Sequence, residues 1–151
     1  MNPAVNEPEN TLHKYSFDVE GGNFNAAGTV SMRIKSILKE NGLPADVVRK
    51  SAIVSYEAEI NIVSYAKKGT INLTVTPKAV EIEVSDEGPG IPDIEQAMEQ
   101  GYSTANQHIR EMGFGAGMGL YNIKSYSDKF EISSEIDKGT LLKMIILLQN
   151  S

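Results

Sequence analysis

The chain has 151 residues, 40% hydrophobic and 23% charged, with no cysteine, two histidines and a net charge of −6. That length suits one globular domain burying about 68–70% of its unfolded surface, and the missing cysteines exclude a disulfide framework, a thiolate zinc site and a cysteine nucleophile. The acidic balance argues against a general nucleic-acid binder, and no apolar run approaches the ~18 residues that cross a membrane.

Residues 1–14, MNPAVNEPENTLHK, are polar and carry two prolines, so they read as a mobile tail ahead of one domain over 15–151. They lack the basic start and apolar core of a signal peptide, so a cytoplasmic protein is expected. From Tyr15, YSFDVE alternates and breaks at Gly21-Gly22, which predicts a strand. Val30, Met32, Ile34, Ile37 and Leu38 recur at helical intervals within 26–39, closed by Asn41-Gly42. Pro44 opens a second predicted helix, 45–66, which Lys67-Lys68-Gly69 stops. Two β-rich runs, 71–76 and 80–84, flank Pro77-Lys78 as a hairpin. A short helix is expected over 120–126, and a last hairpin over 130–134 and 141–148 turns at Lys138-Gly139. The fold class is therefore α+β, with a mixed, mainly antiparallel sheet and helices on one face.

Between 86 and 119 the pattern changes, for seven of the thirteen glycines fall there with little apolar periodicity. A long segment of that kind in a small domain is usually functional. Three motifs carry chemistry. Glu57 and Asn61, four apart on the second helix, share a face, so a carboxylate and a carboxamide stand together as candidate general base and Mg²⁺ ligand. An ordinary exposed stripe is the alternative. Asp86-Glu87-Gly88-Pro89-Gly90 follows the strand VEIEV, placing a carboxylate at the sheet edge where glycines let a ligand approach. That carboxylate can accept from an amine such as adenine's; a plain Gly-Pro loop is the alternative. Gly113, Gly115, Gly117 and Gly119 alternate just before a helix, where successive N–H groups suit phosphates. They form neither the dinucleotide fingerprint nor a Walker A loop. Lys138-Gly139-Thr140 alone reads as a turn.

In this order, E-x-x-x-N, D-x-G-x-G, the alternating glycines and G-T resemble the GHKL nucleotide-binding superfamily of gyrase, certain chaperones, histidine kinases and mismatch-repair ATPases. The resemblance covers about residues 15–149. It is nearest the small bacterial anti-sigma-factor and switch serine/threonine kinases of partner-switching systems, on Gly101-Tyr-Ser-Thr, GFGAGMGL, the stretch from Ser127 to Glu135 and that from Gly139 to Met144. The implied fold is a two-layer α/β sandwich of the Bergerat type, and the implied cofactors are ATP and Mg²⁺. The resemblance makes Glu57 the general base, Asn61 the metal ligand, Asp86 the adenine acceptor, and Gly88 and Gly90 the hinge of a lid. It gives Gly113, Gly115, Gly117 and Gly119 the phosphate-contacting end and Thr140 an adenine-side role. Arg110 stands three residues before Gly113, out of step with the arginine that often precedes this glycine run. Glu59 replaces a small or apolar residue, and neither it nor His108 receives a role.

The implied activity is phosphorylation of a small antagonist-type partner, with a sigma factor or another regulator as a further partner. A non-catalytic ATP-sensing anti-sigma module and a histidine-kinase-like ATPase are the rivals. Oligomeric state is left open, a dimer included.

Overall fold

The computed structural model describes residues 13–99 and 119–148. The tail over 1–12, the glycines Gly113, Gly115 and Gly117, and His108, Arg110, Met112 and Met118 lie outside the described residues.

Five strands form one sheet: β1 (His13–Glu20), β2 (Lys68–Val75), β3 (Ala79–Glu87), β4 (Lys129–Glu135) and β5 (Gly139–Leu147). Their spatial order is β1-β2-β3-β5-β4, and every described pairing is antiparallel. The mixed component of the expected sheet is therefore not present among them. His13 and Lys14, read from sequence as tail, already pair with Val75 and Thr74 in β1.

Alternation sorts the strands cleanly. Val19, Ile71, Leu73, Val80, Ile82, Val84, Leu142, Met144 and Ile146 point to one face and are buried. Residues between them, such as Asp18, Glu83, Lys143 and Glu131, project from the other, with Glu83 and Glu131 both opposite Lys143 in the register. Met144 is thus core.

Three helices of at least two turns cover the apolar face: α1 (Thr29–Glu40), α2 (Ala45–Tyr65) and α4 (Gly119–Tyr126). A single turn, α3 (Ile94–Ala97), is capped by Asp93, which accepts from the Gln96 N–H at 3.0 Å. The 21-residue α2 is about 31 Å long. It crosses β1, β2, β3 and β5 with α1 on one flank and α4 on the other. Val54, Ala58 and Ile62 seat it on the sheet, each fully buried. Burying one such aliphatic side chain is worth about 1.5–3 kcal/mol.

The helix ends have local causes. Pro44 is the residue before α2, extended at φ −57° and ψ 144°, and Asp46 sits in the first turn, where the dipole favours a carboxylate. Helix α1 starts at Thr29, later than the expected Ala26, because a 3₁₀ turn over Phe24–Ala26 intervenes. Among the described residues no helix is long and apolar enough to cross a membrane.

Candidate functional site

Helix α2 carries different chemistry on its two flanks. On the α1 flank, Glu59 is 2% exposed and accepts three backbone N–H groups. Gly28 and Val30 donate to Oε2 at 3.0 and 3.1 Å, and Ser31 donates to Oε1 at 3.0 Å. These are the free donors at the start of α1, whose preceding residue, Gly28, has no side chain to cap them. Glu59 is therefore the cap of α1, supplied from a neighbouring helix. The adjacent Tyr56 ring lies beside Gly28, at 3.6 Å from where a Cβ would stand.

On the α4 flank the polar groups are only partly occupied. Glu57 is partly buried and accepts one described hydrogen bond, from Asn122 Nδ2 to Oε2 at 3.2 Å. Burial pushes its carboxyl above the usual carboxylate range, and the Asn122 bond opposes that shift. One turn along, Asn61 lies against the start of α4, where a Cβ on Gly119 would be 3.2 Å from Asn61 Oδ1. Gly119 thus brings the expected end of the glycine run to the expected metal ligand. The helix α4 is held on the same flank by Ile123, fully buried, and by Arg49 of α2 over the Tyr126 ring at 5.7 Å.

Asp86 is the penultimate residue of β3, the central strand of the sheet rather than an edge strand, and it points to the helix-bearing face. Burial raises its carboxyl as well, opposed by the Thr140 N–H, which donates to Oδ1 at 3.2 Å. Thr140 Oγ1 is 2.8 Å from Ser134 Oγ. Ser134 donates to the Gly139 carbonyl at 3.1 Å and accepts the Ile91 N–H at 2.8 Å. Asp86 and Thr140 are thus joined directly, and Ser134, outside the sequence motifs, holds the Thr140 side chain.

Two glycines make this junction sterically feasible. Gly139 has φ +148°, and a Cβ there would collide with the Asp86 carbonyl. Gly90 has φ +80° and packs on the Glu135 carbonyl and Ile136. The Pro89 carbonyl accepts the Asp137 N–H at 2.8 Å, so residues 89–91 are fastened to the β4–β5 turn. Gly88 lies between Asp86 and the end of α2, with a Cβ position 3.2 Å from both Asp86 Oδ1 and Ala66 Cα.

A cleft of about 820 Å³ opens at the same end of the sheet, between the start of α1, the Glu59–Val63 flank of α2 and the ends of β1, β2 and β3. Asp86 borders it, while Glu57 and Asn61 face the opposite flank. Sequence reasoning left Glu59 without a role and did not reach Asn122 or Ser134. The signal for Glu59 was a helix opening on Gly28 with no capping side chain. The signal for Ser134 was its register position opposite Thr140.

Comparison with known proteins identifies the family and the fold. Residues 23–146 match the family model described as the histidine kinase-like ATPase domain. The chain belongs to that family. It is 34% identical over 116 residues to serine/threonine-protein kinase RsbT of Bacillus subtilis (strain 168), covering 74% of this chain and 80% of that one. It is 35% identical over 100 residues to an anti-sigma F factor of Thermoanaerobacter sp. (strain X514), covering 66% of this chain and 62% of that protein's length. The crystal structure of the RsbU and RsbW domains of Rv1364c from Mycobacterium tuberculosis superposes with a TM-score of 0.60 at 14% identity, over 89% of this chain and 32% of that one. The mycobacterial sensor histidine kinase MprB gives 0.52, also at 14% identity, over 91% and 100%. Identities this low speak for the shared fold, the α+β sandwich of one sheet and one helical layer.

Proposed function

We propose that this chain is an ATP- and Mg²⁺-dependent serine/threonine protein kinase acting on a small regulatory protein of the anti-sigma-antagonist type. The observation that carries the proposal is the unspent polar capacity of Glu57 and Asn61 on the α4 flank of α2 and of Asp86 near the end of that helix. Glu57 and Asp86 each accept one described side-chain-directed hydrogen bond, at Oε2 and Oδ1, and the Asn61 carboxamide stands beside Gly119. Groups half-buried in that condition destabilise the empty protein and suit a ligand.

In this reading Asp86 accepts from the adenine amine while Thr140, held by Ser134, stands beside it. Asn61 presents a carboxamide oxygen, a hard ligand of the kind Mg²⁺ takes alongside phosphates and water. Bound there, the metal would neutralise charge developing on the transferred phosphoryl group. Glu57 accepts the proton of the attacking Ser or Thr hydroxyl as that oxygen bonds to the γ-phosphorus. The bond from the γ-phosphorus to the β–γ bridging oxygen breaks, and ADP leaves. The raised carboxyl of Glu57 brings it nearer the pH at which it works, as an effective base requires.

The resemblance to proteins named anti-sigma F factor favours a second reading, in which the same site senses nucleotide and alters the grip on a partner. One experiment separates the two. With γ-labelled ATP and host lysate, the kinase labels a single small protein. Glu57→Ala then lowers that transfer about 10²–10⁴-fold with nucleotide still bound. Asn61→Ala instead weakens binding of ATP in the presence of Mg²⁺. Transfer by Glu57→Ala at the wild-type rate removes the kinase reading.

A further inference from the structure

We infer that the Ser64 hydroxyl is a direct contact for the nucleotide phosphate next to the ribose, an assignment that rests on the nucleotide reading of this site. The helical serines Ser55 and Ser125 donate to the carbonyl four residues back, both at 2.8 Å, as does Ser127, one residue past α4, at 2.6 Å. Ser64 does not. In the empty protein its Oγ is turned away from solvent without a hydrogen-bond partner, so it meets a ligand only by rotating about χ1. A buried hydroxyl left unpaired costs stability, yet a carbonyl acceptor lies within reach of its rotor.

Its position gives the hydroxyl a use. Glu57, Asn61 and Ser64 are spaced i, i+4 and i+7, so they form one stripe along α2. Ser64 stands about 4.5 Å beyond Asn61 along the axis, toward the end of the helix. That end, Ala66, adjoins Gly88, which in turn adjoins Asp86. The order along the site is therefore Glu57, Asn61, Ser64, Asp86. A nucleotide with its base at Asp86 and its outer phosphates at Asn61 passes Ser64 with the phosphate that joins the ribose. The hydroxyl donates to a non-bridging oxygen of that phosphate, a bond strengthened by the oxygen's charge.

Ser51 is the internal control. Its Oγ is also buried and unpartnered, but the whole residue is fully enclosed, whereas Ser64 is partly exposed. It has no nucleotide to meet.

The test uses the full chain carrying Ser64→Ala, Ser64→Thr or Ser51→Ala, titrated with ATP, ADP, AMP and adenosine by calorimetry or NMR. Ser64→Ala is expected to weaken ATP, ADP and AMP by a common factor of about 3–10, the scale of one charge-assisted bond. Adenosine affinity should stay unchanged, Ser64→Thr should restore the phosphorylated ligands, and Ser51→Ala should leave all four as in wild type. Without ligand, Ser64→Ala should melt at or above the wild-type temperature, because no bond is lost. A loss confined to ATP and ADP overturns the assignment, as does an equal loss for adenosine. A lower melting temperature, or no loss at all, overturns it as well. If wild type binds ATP and Asp86→Asn weakens it while Ser64→Ala does not, only Ser64 falls. If wild type binds none of the four ligands, the site reading falls and the Ser64 assignment with it.

Discussion

Glu57 and Glu59 stand two positions apart on one helix and face opposite flanks, and the environment rather than the residue type decides what each does. Glu59 is enclosed, and three N–H groups converge on its two oxygens. Its hydrogen-bonding capacity is committed to the start of α1. Glu57 accepts a single side-chain bond at 3.2 Å and is pushed toward its neutral form by burial. A carboxylate fully matched by fixed donors is architecture, because a ligand or a proton would have to displace those donors. One that is partly desolvated and under-matched is available for proton transfer and ligand binding.

The strongest way to break this comparison is to exchange the two losses. Glu59→Ala removes the acceptor for three buried N–H groups, and each stranded group costs about 1–3 kcal/mol. The expected destabilisation is therefore at least about 3 kcal/mol, read from denaturant unfolding. Glu57→Ala should leave stability unchanged or slightly improved while phosphoryl transfer collapses. Equal stability losses in both variants would end the distinction between a structural and a chemical carboxylate on this helix.

That distinction also marks how far the sequence could be read. Local patterns carried the element order, because alternation in β1 to β5 and the 3.6-residue period in α1 and α2 are properties of neighbouring residues. The pairing of Glu57 with Asn61 was legible for the same reason, since i and i+4 meet on any helix. Glu59 was not, because its partners lie 28 to 31 residues earlier and are backbone groups with no sequence signature. Asn122 meets Glu57 across 65 positions, and Ile91 meets Ser134 across 43. Tertiary packing supplies such contacts. His13 and Lys14 were read as tail because polar residues on an edge strand look like tail, and only the facing strand β2 orders them.

A smaller effect is expected at Asp86, the other under-matched carboxylate. Asp86→Asn makes the acceptor facing adenine ambiguous and should weaken ATP binding by about 1–3 kcal/mol, with poorer discrimination against GTP. Thr140 N–H keeps an amide oxygen to donate to, so the β3–β5 junction should survive. Calorimetry giving wild-type affinity would remove Asp86 from the site.

The same two groups should be a burden on the empty protein. A carboxyl raised in the folded state binds its proton more tightly there than in the unfolded chain. Stability is therefore highest below the ordinary carboxylate range and declines as pH rises through the raised folded values. Glu57→Gln and Asp86→Asn, measured without nucleotide, should each raise the melting temperature at neutral pH. That gain should disappear in acid, where wild type is protonated too. A lower melting temperature at neutral pH for both variants would mean the charges are matched after all, and the two flanks of α2 would no longer differ in kind.

The finest test concerns the one bond that Glu57 does accept. The Asn122 N–H favours the charged carboxylate against the burial that disfavours it. In Asn122→Ala burial acts unopposed, so Glu57 holds its proton to higher pH. A protonated Glu57 cannot accept the hydroxyl proton, and the acidic limb of the transfer rate should therefore move upward in pH. Once the pH exceeds the new value, the base is ionised again and the plateau should return close to wild type. The bond also holds the side chain in place, and loss of aim would act differently. It would depress the plateau at every pH and leave the limb where it was. The pH–rate profile thus separates the two effects. A lowered plateau with an unmoved limb would make Asn122 a device for orientation, and the raised carboxyl of Glu57 would then owe nothing to its partner on α4.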